Sequence, residues 1–132
     1  MNYNNIAEIY NLLSESSRQD SFGDVFESIH FNGFNIQISA GDRSFSSPSR
    51  RYSQLIHYDG VQVEIREAIR DEEHSICPEQ DERFKNFDWS VYFSFIDANG
   101  NHKSSYIGTV PLHTVCEVIR SIYKVSRMKM FY

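Results

Sequence analysis

One stretch, Ser28-Ile-His-Phe-Asn-Gly-Phe-Asn-Ile-Gln-Ile-Ser39, restricts the fold more than any other part of the chain. Ile29, Phe31, Phe34, Ile36 and Ile38 alternate with His30, Asn35 and Gln37 on either side of Asn32-Gly33. A period of two puts the apolar set on one side of a strand and the polar set on the other. A two-residue type I′ turn requires φ > 0 at both central positions, and Asn-Gly meets that requirement at low cost. The stretch therefore predicts an antiparallel hairpin with one buried face.

The same grammar recurs. In Gln54-Leu-Ile-His-Tyr-Asp-Gly-Val-Gln-Val-Glu-Ile65, Asp59-Gly60 reads as a second hairpin turn, with Ile56, Tyr58, Val61, Val63 and Ile65 facing the core. A third strand pair, Trp89 to Ile96 and Ser104 to Val110, spans a longer loop with Asn99-Gly100 near its centre. Helical spacing takes over at both ends. Ile6, Ile9, Tyr10 and Leu13 recur at i, i+3, i+4 and i+7 behind Asn4 or Asn5 as a cap. Leu112, Val115, Cys116, Ile119, Ile122 and Tyr123 hold one face for three turns, with a start either at Pro111 or at the capping box Thr114 to Glu117. Residues 22–29 also carry helical spacing that competes with the first strand. The expected fold is α+β: an antiparallel sheet of about six strands, an N-terminal helix and a packed C-terminal helix.

At 132 residues, with 40% apolar and 14% aromatic residues, the chain can bury one core, and no linker or repeat divides it. A single domain over 1–132 follows. No run approaches the roughly 18 apolar residues of a membrane span, and the polar start lacks signal-peptide order, so a soluble cytoplasmic protein is expected. The net charge of −5 argues against direct nucleic-acid binding, although the charge is uneven. Residues 52–119 hold twelve acids and five bases, whereas residues 120–132 hold four bases and no acid.

Two surface segments are candidate sites. Glu67, Asp71, Glu72, Glu73, Glu79, Asp81 and Glu82 lie close together in the sequence against Arg70 alone. They read either as a solvated connection with a short helix from Arg66 to His74, or as carboxylates that occupy a basic groove in a partner. Arg43, Arg50, Arg51 and Tyr52 lie in a serine-rich connection between the first two hairpins. Guanidinium forks there suit phosphate or carboxylate, while the plainer reading pairs them with local acids such as Asp42.

Catalytic and metal chemistry find little support in the residue pattern. Cys116 falls on the apolar face of the last helix, and Cys77 lies three residues from His74 in acidic surroundings that would raise a thiol pKa. Neither a second ligand pair at zinc spacing nor a nucleotide or hydrolase motif is present, so no catalytic residue, metal or cofactor is expected. A Cys77/His74 enzyme and a nucleic-acid binder using the Arg43–Arg51 loop with Lys124, Arg127 and Lys129 are the alternatives. The apolar ending Met128, Met130, Phe131 and Tyr132 is expected either to form a homodimer contact or to dock on the protein's own sheet.

The order "NIQISAGDRSFSSPSR", "YDGVQVEI" and "SSYIGTVPLHTVCEVI" resembles small uncharacterised proteins encoded by tailed phages and prophages. The likeness covers roughly residues 34–119, with Ser49 intervening between Pro48 and Arg50 and the basic, aromatic ending as departures. The resemblance implies a non-catalytic phage accessory protein that binds a host protein, including the nucleases of restriction and CRISPR defence. It assigns no functional residue.

Overall fold

In a computed structural model, residues 1–19, 23–42, 44, 46–48, 50–76, 81–85 and 106–128 are described. Helix α1 (Ile6–Glu15) starts at Asn5, whose side-chain oxygen accepts from the backbone N–H groups of Ala7 at 3.0 Å and Glu8 at 3.2 Å. Two otherwise orphaned helix donors are thereby satisfied. The helix buries Ile9 and Leu13 and stops at Ser16, which is extended.

Strands β1 (Val25–Phe31) and β2 (Phe34–Ser39) form the expected Asn-Gly hairpin, with φ of 48° at Asn32 and 87° at Gly33. Residues 25–31 are therefore strand, and the competing helical spacing has a local cause. The register shifts between Val25 and Glu27, so Phe26 and Ile29, three apart, are both buried. A bulge adds one residue and changes the parity of the strand.

The second hairpin does not form. Leu55–His57 is a single 3-10 turn, which buries Leu55 and Tyr58 at helical spacing and leaves Ile56 exposed. Gly60 instead makes an isolated bridge to Ser47, and Asp59 N–H donates to the Ser47 carbonyl at 2.7 Å. An alternating apolar pattern only two residues deep does not distinguish strand from one tight turn.

Strand β3 (Val61–Ile69) is the centre of the sheet. It pairs antiparallel with β2 along 62–67, with β4 (Glu72–Ser75) along 66–69, and with β5 (Tyr106–Val110) along 61–64. Since β2 occupies one flank, β4 and β5 divide the other. Five strands, all antiparallel, lie among the described residues. The expected strand at 89–96 and the Asn99-Gly100 turn lie outside them.

The helix expected over Arg66 to His74 is instead the β3–β4 hairpin. Its two-residue turn is Arg70-Asp71, with φ of 53° and 66°. Left-handed backbone costs an ordinary L-residue about 1 kcal/mol or more. Replacing the pair by Arg70→Asn with Asp71→Gly should therefore raise unfolding stability by about 1 kcal/mol, read from urea denaturation. No gain would mean that the turn is already relaxed.

Helix α2 (Leu112–Met128) follows β5 after one residue. Val115 N–H donates to the Pro111 carbonyl at 3.0 Å, so Pro111 stands at the cap, one residue before the first helical position, and Thr114 lies within the helix. The helix buries Val115, Cys116, Val118, Ile119 and Ile122 against α1 and the apolar sheet face. The turn of the first hairpin closes the far end, where the Asn32 side-chain amide donates to the Ser126 carbonyl. The overall class is α+β, an antiparallel sheet covered by an N-terminal and a C-terminal helix.

Candidate functional site

The acidic segment divides into two populations. Glu67, on the core side of β3, is only 4% exposed. Residues Glu82–Phe84 form a 3-10 turn that brings Arg83 to it. Arg83 Nη1 and Nη2 donate to the two Glu67 oxygens at 2.9 and 2.8 Å, a bidentate pairing. The same guanidinium donates to Asp81 through Nε at 3.0 Å and Nη2 at 2.7 Å. It also lies over the rings of Phe34 and Phe84, at 5.4 and 5.8 Å from their centroids.

These hydrogen bonds from Arg83 hold the Asp81 carboxyl below its ordinary pKa, and the two carboxylates raise that of Arg83. Glu67 and Asp81 thus serve the fold by anchoring the 81–85 segment. Arg83 was not singled out in the sequence, although an Asp-x-Arg-Phe run after an acidic stretch is a legible sign of such an anchor.

Asp71, Glu72, Glu73 and Glu82 are exposed, the first three on or beside the two-residue β3–β4 turn. Glu72 Oε2 lies 3.9 Å from His74 Nε2, and Glu73 Oε2 lies 3.8 Å from Arg66 Nη1. Neither contact is close enough for a strong charged hydrogen bond. Glu79 lies outside the described residues. At the hairpin Asp71, Glu72 and Glu73 outnumber the exposed Arg70 of the same turn, and strand pairing fixes their backbone.

The arginine loop is organised by a residue that the sequence reading missed, Arg18. Its Nη1 donates to Asp24 Oδ1 at 3.1 Å and to the Gly23 carbonyl at 2.9 Å. Its Nη2 donates to the Tyr52 carbonyl and the Tyr58 hydroxyl, both at 3.1 Å, and its guanidinium packs over Phe26. The Tyr58 hydroxyl donates to the Arg50 carbonyl and accepts from Tyr52 N–H at 2.9 Å. Tyr52 packs edge-on against Tyr58 at 5.2 Å.

Tyr52 is therefore a wall of the loop, and its neighbours Arg50 and Arg51 are exposed. Arg51 Nη2 lies 3.5 Å from the Gly23 carbonyl. Arg43 lies outside the described residues. Both Arg18 and Asp24 are nearly buried, with side chains 10% and 8% exposed.

Gly41 explains how closely the loop is packed on this pair. Its φ is 151°, and a Cβ placed there would lie 2.5 Å from Asp24 Oδ1. Gly41→Ala should lower stability by about 2 to 3 kcal/mol through backbone strain and displacement of Asp24. Thermal unfolding followed by circular dichroism reads this, and an unchanged midpoint would mean that the loop yields freely.

Cys116 is buried in α2, and burial pushes its thiol up to about 11, so it stays protonated at neutral pH. His74 is exposed, while Cys77 lies outside the described residues. Lys124 and Arg127 are exposed on α2, Arg127 over the Tyr123 ring at 5.8 Å. Lys129 and the rest of the aromatic ending, Met130, Phe131 and Tyr132, lie outside the described residues. Among the described residues, no three His, Cys, Asp or Glu side chains are grouped as metal ligands, and no helix is long and apolar enough to cross a membrane.

Comparison with family models, with curated proteins and with solved structures finds no match to this chain.

Proposed function

We propose that the protein is a non-catalytic accessory module of the phage type that binds a host protein through the acidic end of its sheet. The partner class that fits is a nucleic-acid-processing enzyme of host defence, whose positively charged groove normally holds phosphate. One observation carries the reading. The β3–β4 hairpin displays Asp71, Glu72 and Glu73 to solvent, while Glu82, also exposed, lies in the turn that Arg83 ties to Glu67 and Asp81. Carboxylates on a paired, two-residue turn lose little conformational entropy on binding. Their common sign steers them toward a basic surface.

The test mixes the purified protein with restriction and CRISPR nucleases and measures complex formation by gel filtration and nuclease inhibition. A stoichiometric complex is expected, displaced by nucleic acid and weakened by salt. The triple variant Asp71→Asn, Glu72→Gln, Glu82→Gln should bind at least tenfold more weakly. Retained binding by that variant would overturn the acidic interface. Inhibition at strongly substoichiometric protein would indicate turnover and an enzyme. Salt-sensitive binding of the protein itself to nucleic acid, lost on Arg50→Ala with Arg51→Ala, would replace this reading with the arginine loop as the site.

A further inference from the structure

The face of the sheet opposite the helices carries a polar cavity. Asn35 and Gln37 from β2, Glu64 and Arg66 from β3, and Glu73 from β4 line about 270 Å³. Strand register sets Asn35 beside Arg66 and Gln37 beside Glu64. That volume falls just below the pockets that hold drug-sized ligands, roughly 300 to 1,000 Å³, and is of the scale of one long side chain.

The cavity holds more acceptors than donors. Arg66 Nε is used by Glu64 at 2.5 Å. Glu73 receives only a 3.4 Å contact from Asn35 Nδ2 and a 3.8 Å contact from Arg66 Nη1. Asn35 Oδ1 is buried with no hydrogen-bond partner. A buried acceptor left in this condition calls for a donor from outside. Two carboxylates against one guanidinium leave the site one negative charge in excess.

Those features exclude most ligand chemistries. An anion would meet two carboxylates. A divalent metal would find too few ligands, since no three His, Cys, Asp or Glu side chains among the described residues are grouped to hold one. A group that only donates hydrogen bonds and carries positive charge supplies both missing quantities, and among protein side chains that group is the lysine ammonium or the arginine guanidinium.

We propose that this cavity receives a basic side chain, arginine or lysine, presented by the partner protein. The inference rests on the reading that the partner is basic, and it extends that surface from the hairpin turn onto the sheet face opposite the helices. Arg66 and Glu73 are 44% and 47% exposed, so both can swing aside to admit the cation and let it reach Asn35 Oδ1.

The experiment titrates the 15N-labelled full chain with three short glycine-flanked peptides whose central residue is arginine, lysine or citrulline. The arginine or lysine peptide should shift the side-chain amide signals of Asn35 and Gln37, and the stronger of the two identifies the cation. Citrulline, which keeps the shape without the charge, should not shift them. Glu73→Gln, an exposed substitution, should weaken peptide binding at least tenfold.

Absence of these shifts at millimolar peptide, equal shifts with citrulline, or unchanged affinity in Glu73→Gln would each overturn the proposal. If the triple hairpin variant loses the partner while the peptides leave Asn35 untouched, the cavity inference fails alone. If the peptides bind but that variant keeps its partner, the acidic-hairpin reading fails instead.

Discussion

Arg18→Met should destabilise the protein by about 4 kcal/mol, within the 3 to 5 kcal/mol typical of breaking a buried ion pair from one side. The substitution takes the ion-pair partner from Asp24, whose side chain is 8% exposed, and it withdraws donors from the Gly23 and Tyr52 carbonyls and the Tyr58 hydroxyl. Methionine keeps most of the packing over Phe26, so the loss reports the polar network and not a cavity. For a chain of this size the unfolding midpoint should fall by about 15 °C. Combining Arg18→Met with Asp24→Asn removes both charges, while the Ser44 hydroxyl can still donate to the residue 24 side chain, and should recover about half of the loss. A single-variant loss below about 1 kcal/mol would mean that water reaches the pair, as for ordinary surface ion pairs.

Arg83→Ala should cost about 3 kcal/mol, the lower edge of the same range, because one side of Arg83 meets solvent while Glu67 does not. The variant takes both Arg83 donors from the buried Glu67 and releases the segment that places Phe84 in the core against Phe34. Replacing both partners, as Glu67→Leu with Arg83→Met, should restore most of the stability, since an apolar pair of similar shape need not desolvate charge. If the double variant is no better than the single one, the anchor depends on Asp81 more than on Glu67.

Acid titration provides a second readout. Arg83 lowers the folded-state pKa of Asp81 below its unfolded value, so the stabilisation is complete above about pH 4 and is lost as the pH falls through the lower folded value. Asp81→Asn should therefore narrow its stability gap from the parent as the solution is acidified through that window. A constant gap would mean that Asp81 acts by shape alone.

The first hairpin, both helices and the antiparallel class were legible because each rests on local chemistry. Asn32-Gly33 suits its turn, Asn5 caps α1, and the apolar stripe of α2 repeats for several turns. Misreadings arose where distant groups decide. Tyr58 looks like a strand residue, yet its hydroxyl is held by Arg18, forty positions away, and the backbone around it turns to keep that bond.

Arg70-Asp71 carries no turn signature, and the hairpin forms because β5 pairs the flank of β3 opposite β2 only along 61–64, which leaves 66–69 on that flank to pair with Glu72–Ser75. Bulk acidity located the candidate surface but could not separate Glu67 and Asp81, which are held by Arg83, from Asp71, Glu72 and Glu73. That separation depends on which side of a strand each residue occupies and on a cation contributed from another segment. The polar cavity was legible only as the period-two partner of the core pattern, since Asn35 and Gln37 alternate with Phe34, Ile36 and Ile38.

Helix α2 is the last of the described elements in chain order, and it supplies nine of the buried residues. A ribosome adds roughly 5 to 20 residues per second, so for several seconds the two hairpins exist without their cover. During that interval Ile36, Ile38, Val63 and Ile65, all fully buried in the finished fold, face water, and the β5 flank of β3 is open. The nascent chain is then a sheet with a bare oily side and an unpaired edge, the combination most prone to stick to its neighbours. Yield in the cell should therefore depend on how fast the codons for β5 and α2 are translated. Synonymous changes that slow that stretch should divert protein into aggregates while leaving the purified molecule unaltered.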